Sequence, residues 1–228
     1  MANYTGHQAG CRPDALKNRS FVIGLESPDL LKKYAKNGID YAREKYEQIK
    51  TSDMPDFSEL EVRVQQKERA GSSEGLHFGL SSCPDIMACW NSFSEEQKNH
   101  PYYRGYFWHV LQDLVTYAKQ DIDAKFQKVL DENEGNPNIV EIKKAEVKKL
   151  HADWDKVNRP IMDTYPDVTI TPEVKELGVV QFTEGSLVYI DWVELKKTFD
   201  WLRTFDPLNG NMEEIIATVM TEIKNVML

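Results

Sequence analysis

The sequence predicts a mainly helical α+β fold, a bundle around an antiparallel helix pair with two small β-hairpins at its edge. Three observations lead to this prediction. Long stretches repeat apolar residues every three or four positions, two short stretches alternate apolar and polar residues, and the composition of 41% hydrophobic and 29% charged residues is typical of a globular chain. We expect residues 1–20 to form a polar extended arm and residues 21–228 to form one domain.

The first half of the chain predicts one helix followed by one hairpin. Residues 28–50 have helical spacing, with a serine cap before them and Pro28 as the first helical residue. Gly38 interrupts this helix, which indicates either a break into two helices or a close helix crossing. Apolar and polar residues then alternate over 59–65 and 76–80, on either side of a Gly-rich turn, and this pattern predicts the first hairpin.

The second half predicts the antiparallel helix pair and three further elements. A continuous apolar stripe predicts a helix over 105–131, and a short Gly-Pro connector leads to a second helix over 138–157. Alternation around a Glu-Gly turn predicts the second hairpin over 179–190. Two more helices are expected over 191–204 and 212–227, the last with a capping box at its start.

Charge and cysteine content limit the classes of function. The net charge of -9 argues against binding nucleic acid or an anionic membrane through the overall field of the protein. We find no uncharged apolar run of membrane-spanning length and no secretory or transit segment, so we expect no membrane insertion. Cys11, Cys83 and Cys89 are few, odd in number and not at zinc-binding spacing, which favours free thiols in a reducing intracellular compartment.

An aromatic segment before the longest helix is the candidate partner-binding site. Tyrosine, tryptophan and arginine are the residue types enriched at interface hot spots. Phe107 begins the apolar stripe, so the alternative is that part of this segment belongs to the core. The residues predicted to contact another protein chain are Tyr102, Tyr103, Arg104, Tyr106 and Trp108.

Two histidine–aspartate pairs form the candidate metal site. His109 and Asp113 lie four residues apart on the first helix of the predicted pair, and His151 and Asp155 have the same spacing on the second. Imidazole and carboxylate groups from facing helices are the ligands with which helical bundles bind transition metals. The alternative is that each pair is a surface contact within its helix, and then no cofactor is expected.

No motif in the chain specifies a reaction, and three hypotheses of function follow. The absence of a catalytic signature favours a non-enzymatic interaction or structural subunit of a larger protein assembly, with another protein chain as its partner. The alternative is a metal-dependent helical enzyme with one divalent transition metal held by His109, Asp113, His151 and Asp155. The third, an acidic inhibitor that mimics nucleic acid, is weakest because lysines interleave with the carboxylates.

Overall fold

The computed structural model describes residues 4–70, 76, 85–120, 122–146, 148, 164–168 and 192–227. Two short 3₁₀ turns, Ala15–Lys17 and Ala35–Asn37, flank the second helix. None of the described helices is long and apolar enough to cross a membrane. The helices are α1 (Tyr4–Ala9), α2 (Arg19–Tyr34), α3 (Ile39–Ile49), α4 (Phe57–Ala70), α5 (Ile86–Asn91), α6 (Glu95–Asn99), α7 (Pro101–Gln120), α8 (Ile122–Glu132), α9 (residues 139–146), α10 (Trp192–Leu202) and α11 (Met212–Met227).

The α+β prediction is wrong, because the described part of the chain is helical and contains no β-strand. The first predicted strand lies within α4. Leu60 and Val64, which are four residues apart, are buried, whereas Val62 between them is 61% exposed. The apparent alternation therefore came from a helix with a narrow buried face. In the other predicted strand of the first hairpin, 76–80, only Leu76 is described. The second predicted hairpin, 179–190, lies outside the described residues.

The chain from residue 4 to residue 50 also departs from the prediction. The expected extended arm contains α1 and the first 3₁₀ turn, and its residues His7 to Cys11 are buried. Pro28 does not begin a helix but lies inside α2, whose cap is Asn18. Of the two alternatives at Gly38, the structure shows the break, since this residue, with a φ of 95°, separates the second 3₁₀ turn from α3.

The described core is organised around α7, which packs most extensively against α2 and also against α10 and α11. Glycines make the crossing of α2 and α7 close. A Cβ on Gly24 would overlap the carbonyl group of Tyr102, and a Cβ on Gly105 would overlap that of Phe21. Side-chain atoms are therefore excluded from the crossing, and the two backbones lie in direct contact.

The predicted antiparallel pair is described only in part. The apolar stripe predicted as one helix over 105–131 forms two described helices, α7 and α8, and α7 begins four residues earlier, at Pro101. Of the predicted second helix, 138–157, the structure describes residues 138–146 and 148, which include α9, and the other half lies outside the described residues. The last two predicted helices are confirmed as α10 and α11, and the Asn211 side chain accepts from the Glu213 and Glu214 amides as expected of a cap.

Candidate metal centre

Three potential metal ligands meet where α1 packs beside α2 and α7. His7 comes from α1, and His109 and Asp113 come from α7. All three are fully buried, and one ligand atom from each lies within 4.8 Å of the other two. The Nε2 atoms of His7 and His109 each lie 3.6 Å from an oxygen of Asp113. Two imidazoles and one carboxylate thus converge on one small volume inside the protein.

The helix crossing places this group. His109 and Asp113 share one face of α7 because residues four positions apart lie one above the other. Gly105 lies one turn before His109, so the close crossing brings the imidazole against the backbone of α2. His109 Nδ1 lies 2.7 Å from the carbonyl oxygen of Leu25, the residue after Gly24.

The hydrogen bonds at Nδ1 determine which nitrogen of each ring carries the proton. A carbonyl oxygen can only accept, so His109 Nδ1 donates to Leu25. Gln112 Nε2 donates to the His7 carbonyl oxygen over 3.0 Å, which leaves the amide oxygen of Gln112 to accept from His7 Nδ1 over 2.7 Å. In its neutral form, each ring would therefore present an Nε2 lone pair to the Asp113 carboxylate.

Within the part of the chain that the structure describes, His7 Nε2 is the atom of this group that lacks a partner. At 3.6 Å, neither Nε2 atom is within hydrogen-bond distance of the Asp113 carboxylate. His7 Nε2 is buried and has no hydrogen-bond partner among the described residues. Burial and the His109 ring, stacked at 3.7 Å, lower the pKa of His7 to about 3 although Asp113 acts in the opposite direction. A proton on His7 is therefore disfavoured at neutral pH.

The three side chains fit the ligand preferences of a divalent metal ion. Imidazole nitrogen and carboxylate oxygen are ligands of zinc and of iron, manganese and related first-row ions. Ligating histidines almost always donate their second ring nitrogen to a carbonyl or similar acceptor, as both rings do through Leu25 and Gln112. Three protein ligands also leave coordination positions open for water or substrate.

A buried carboxyl group lies beside the centre. Glu26 on α2 is 1% exposed, and its Oε1 accepts from Gln8, the neighbour of His7, over 3.4 Å. Its Oε2 is buried and has no hydrogen-bond partner among the described residues. Burial, and then the nearby Asp29 charge, raise the pKa of Glu26 well above its ordinary value. Asp29 is half-buried, and its charge also raises the pKa of His7, against the larger opposing effect of burial.

The structure brings together half of the predicted metal site and adds a ligand that the sequence did not reveal. His109 and Asp113 lie together as expected, but they are buried, so they are not a surface pair. His151 and Asp155 lie outside the described residues. His7 was missed because its polar neighbours suggested an exposed arm. The sequence contains one signal that could have indicated it: His7 and Cys11 are four residues apart, as residues on one face of a helix are, and both are buried.

The predicted partner-binding residues lie in the interior. Their rings contact one another and the core: Tyr102 donates to Ser27, and Tyr106 donates to the carbonyl of Leu76. Arg104 donates to the carbonyls of Pro207, Lys98 and Gly210 and so holds the loop before α11. None of the five contributes to an exposed apolar patch on the described part of the chain. The exposed fraction lies between 0% and 7% for each of them: Tyr102, Tyr103, Arg104, Tyr106 and Trp108.

Comparison with known proteins adds no relative: no protein-family model matches the chain, and neither a curated protein nor a solved structure matches it.

Proposed function

We propose that this chain binds one divalent transition metal ion through His7, His109 and Asp113 and acts as a metal-dependent helical enzyme. The observation that carries the proposal is the convergence of two imidazole Nε2 atoms and a carboxylate in a fully buried volume. Buried polar groups are normally satisfied by hydrogen bonds or ions, and a metal ion would satisfy His7 Nε2, which has no hydrogen-bond partner among the described residues.

Two features favour a catalytic ion over a purely structural one. Structural zinc sites use four protein ligands, whereas catalytic sites use three and keep a position open. The second feature is Glu26, a buried carboxyl group with a raised pKa that follows Leu25, the residue whose carbonyl accepts from His109. Such a group is suited to act as a general acid or base. The chemistry that the ion would supply is polarisation of a bound oxygen or activation of water.

The sequence-based hypothesis of an interaction or structural subunit is retained as the alternative. The aromatic residues that were predicted to bind the partner are buried in this chain. The remaining support for the hypothesis is the net charge and the lack of a recognised catalytic motif. Another protein chain remains the proposed partner in that case. A reducing intracellular compartment remains the proposed location, and the free thiols of Cys11 and Cys89 support it. No further observation favours the nucleic-acid mimic.

The proposal is tested by metal binding to the intact chain. The purified protein is stripped with a chelator and titrated with zinc, manganese and iron(II), and bound metal is counted by elemental analysis. We expect about one ion per chain, with a rise in the melting temperature because the ion binds the folded state. His7→Gln, His109→Gln and Asp113→Asn should each weaken binding at least tenfold, since each removes one of three ligands.

His100→Ala is the matched control, because this histidine lies outside the centre, with Nε2 against the Asp53 carbonyl. It should bind metal as the unsubstituted chain does. Circular dichroism checks that each variant is folded. A folded, metal-free chain whose melting temperature does not respond to any of the three ions would refute the proposal.

A further inference from the structure

The three ligands come from two elements of very different stability. His109 and Asp113 lie on one long helix that is central to the core, so they stay together whenever α7 is folded. His7 lies on α1, which has only six residues. A helix this short is unstable in water by itself and depends on tertiary contacts. The centre is therefore complete only while α1 is docked.

Side chains from α7 and from the end of α10 hold the docked α1 through its carbonyl groups. Gln112 Nε2 donates to the His7 carbonyl over 3.0 Å, and Trp108 Nε1 donates to that of Gly10 over 3.4 Å. Arg203, just after α10, donates to the carbonyl of Ala9 over 3.1 Å. These bonds fix the orientation of α1, and none of them involves a metal-ligating atom.

Docking without a metal ion leaves a buried nitrogen without a partner in the described part of the chain. The docked His7 ring stacks on His109 at 3.7 Å, and its Nε2 lies 3.6 Å from the Asp113 carboxylate. This nitrogen is buried and has no hydrogen-bond partner among the described residues. A cation in the centre would give it one, because His7 Nε2 would then be a ligand together with His109 and Asp113.

We infer that metal binding and docking of α1 are coupled, so that the bound ion latches α1 onto α7 and its removal releases α1. The inference rests on the proposed function. By linkage, whatever weakens docking of α1 also lowers the apparent affinity for the ion.

Hydrogen exchange measures docking directly. The Gly10 and Cys11 amides donate to the carbonyls of Gly6 and Gln8 in the docked state. We expect these two amides to exchange at least tenfold faster in chelator than with saturating zinc. Amides of α11, such as that of Ile215, should not respond and serve as the internal reference.

Arg203→Met tests the coupling at a distance from the ligands. It removes the bond to Ala9, so it should weaken zinc binding about tenfold while one ion per chain still binds at saturation. Arg203 also forms an ion pair with Asp167 at 2.8 Å. Asp167→Asn is therefore the matched control: it removes the ion pair but keeps the Ala9 bond, and its zinc affinity should stay within about twofold of the unsubstituted chain.

The outcomes separate the latch from the proposed function. If zinc binds with the expected stoichiometry but leaves exchange at Gly10 and Cys11 unchanged, the centre is real and the latch is refuted. Equal zinc affinities for Arg203→Met and the unsubstituted chain would refute the latch in the same way. If no ion binds, the proposed function fails, and the latch fails with it.

Discussion

Gly105→Ala perturbs the fold and the candidate centre through one added methyl group. The new Cβ would lie 2.9 Å from the Leu25 nitrogen and closer still to the Phe21 carbonyl oxygen, where ordinary Cβ contacts are at least 3.4 Å. Both atoms belong to the backbone of α2, so no side chain can rotate away. The helices α2 and α7 must therefore separate by about an ångström.

The cost of that separation follows from two opposing effects. Overpacking a well-packed core typically costs about 1–3 kcal/mol, and here the entire helix pair has to move. Replacing glycine by alanine within a helix gains about 1 kcal/mol. The backbone overlap should dominate, and we expect a net loss of about 1–2 kcal/mol in the free energy of unfolding.

The same movement should disturb the metal ligands. His109 lies one turn beyond Gly105, and its Nδ1 bond to Leu25, now 2.7 Å long, spans the two helices that separate. We therefore expect zinc affinity to fall together with the urea midpoint. Glu44→Ala, an exposed change on α3, is the control and should stay within about 0.5 kcal/mol. An unchanged midpoint and an unchanged zinc affinity in Gly105→Ala would refute the close crossing as described.

Two further predictions concern single buried groups. Leu111 is fully buried, whereas Leu114 is only partly buried. In urea denaturation, Leu111→Ala should therefore lower the free energy of unfolding by about 2–5 kcal/mol, and Leu114→Ala should lower it clearly less. Equal losses would mean that the register of α7 is wrong. Burial raises the pKa of Glu26 above its ordinary value of 4.5. In chelator, the folded chain should therefore lose stability as the pH rises above that value. The loss should be at most about 1.4 kcal/mol per pH unit, and it should end at the pKa that Glu26 has in the folded chain. Glu26→Gln should remove that loss, and parallel stability curves from pH 4 to 8 would contradict the assignment.

The sequence predicted the helices whose signals are local. The α10 and α11 helices follow from an apolar period near 3.6 and, for α11, from Asn211 as a cap, and both were predicted within about a residue or two. A break at Gly38 was one of the two alternatives that the sequence left open, and the positive φ found there is a conformation that glycine adopts readily. Such features depend on neighbours in the sequence and are therefore visible in it.

The errors occurred where tertiary contacts override the local pattern. Over 59–65 the sequence alternates apolar and polar residues as a strand does. The segment is nevertheless helical, because a helix is the conformation that buries Leu60 and Val64 together in the core. Pro28 is tolerated inside α2, although its local signal is that of a helix start. The aromatic segment from Tyr102 to Trp108 has the composition of an interface, but composition does not determine whether the rings face the protein's own core.

The candidate centre was predictable only to the extent that it lies on one helix. His109 and Asp113 have the four-residue spacing that one helix face requires, so the sequence reveals them as a pair. His7 joins them across a separation of about a hundred residues, through the packing of α1 against α2 and its hydrogen bonds with Gln112 of α7. No periodicity within α1 encodes that contact. The third ligand could therefore be found only from the fold.

X-ray absorption of the zinc-loaded chain tests the central claim most directly, because it reports the ligands of the ion itself. Two imidazole nitrogens at about 2.0–2.1 Å and carboxylate or water oxygens at about 2.0–2.2 Å are expected, with no sulfur at about 2.3 Å. His7→Gln should reduce the imidazole count from two to one and leave the His109 contribution in place. A spectrum that shows sulfur ligands, or one with the same imidazole count in His7→Gln, would contradict the centre proposed for His7, His109 and Asp113.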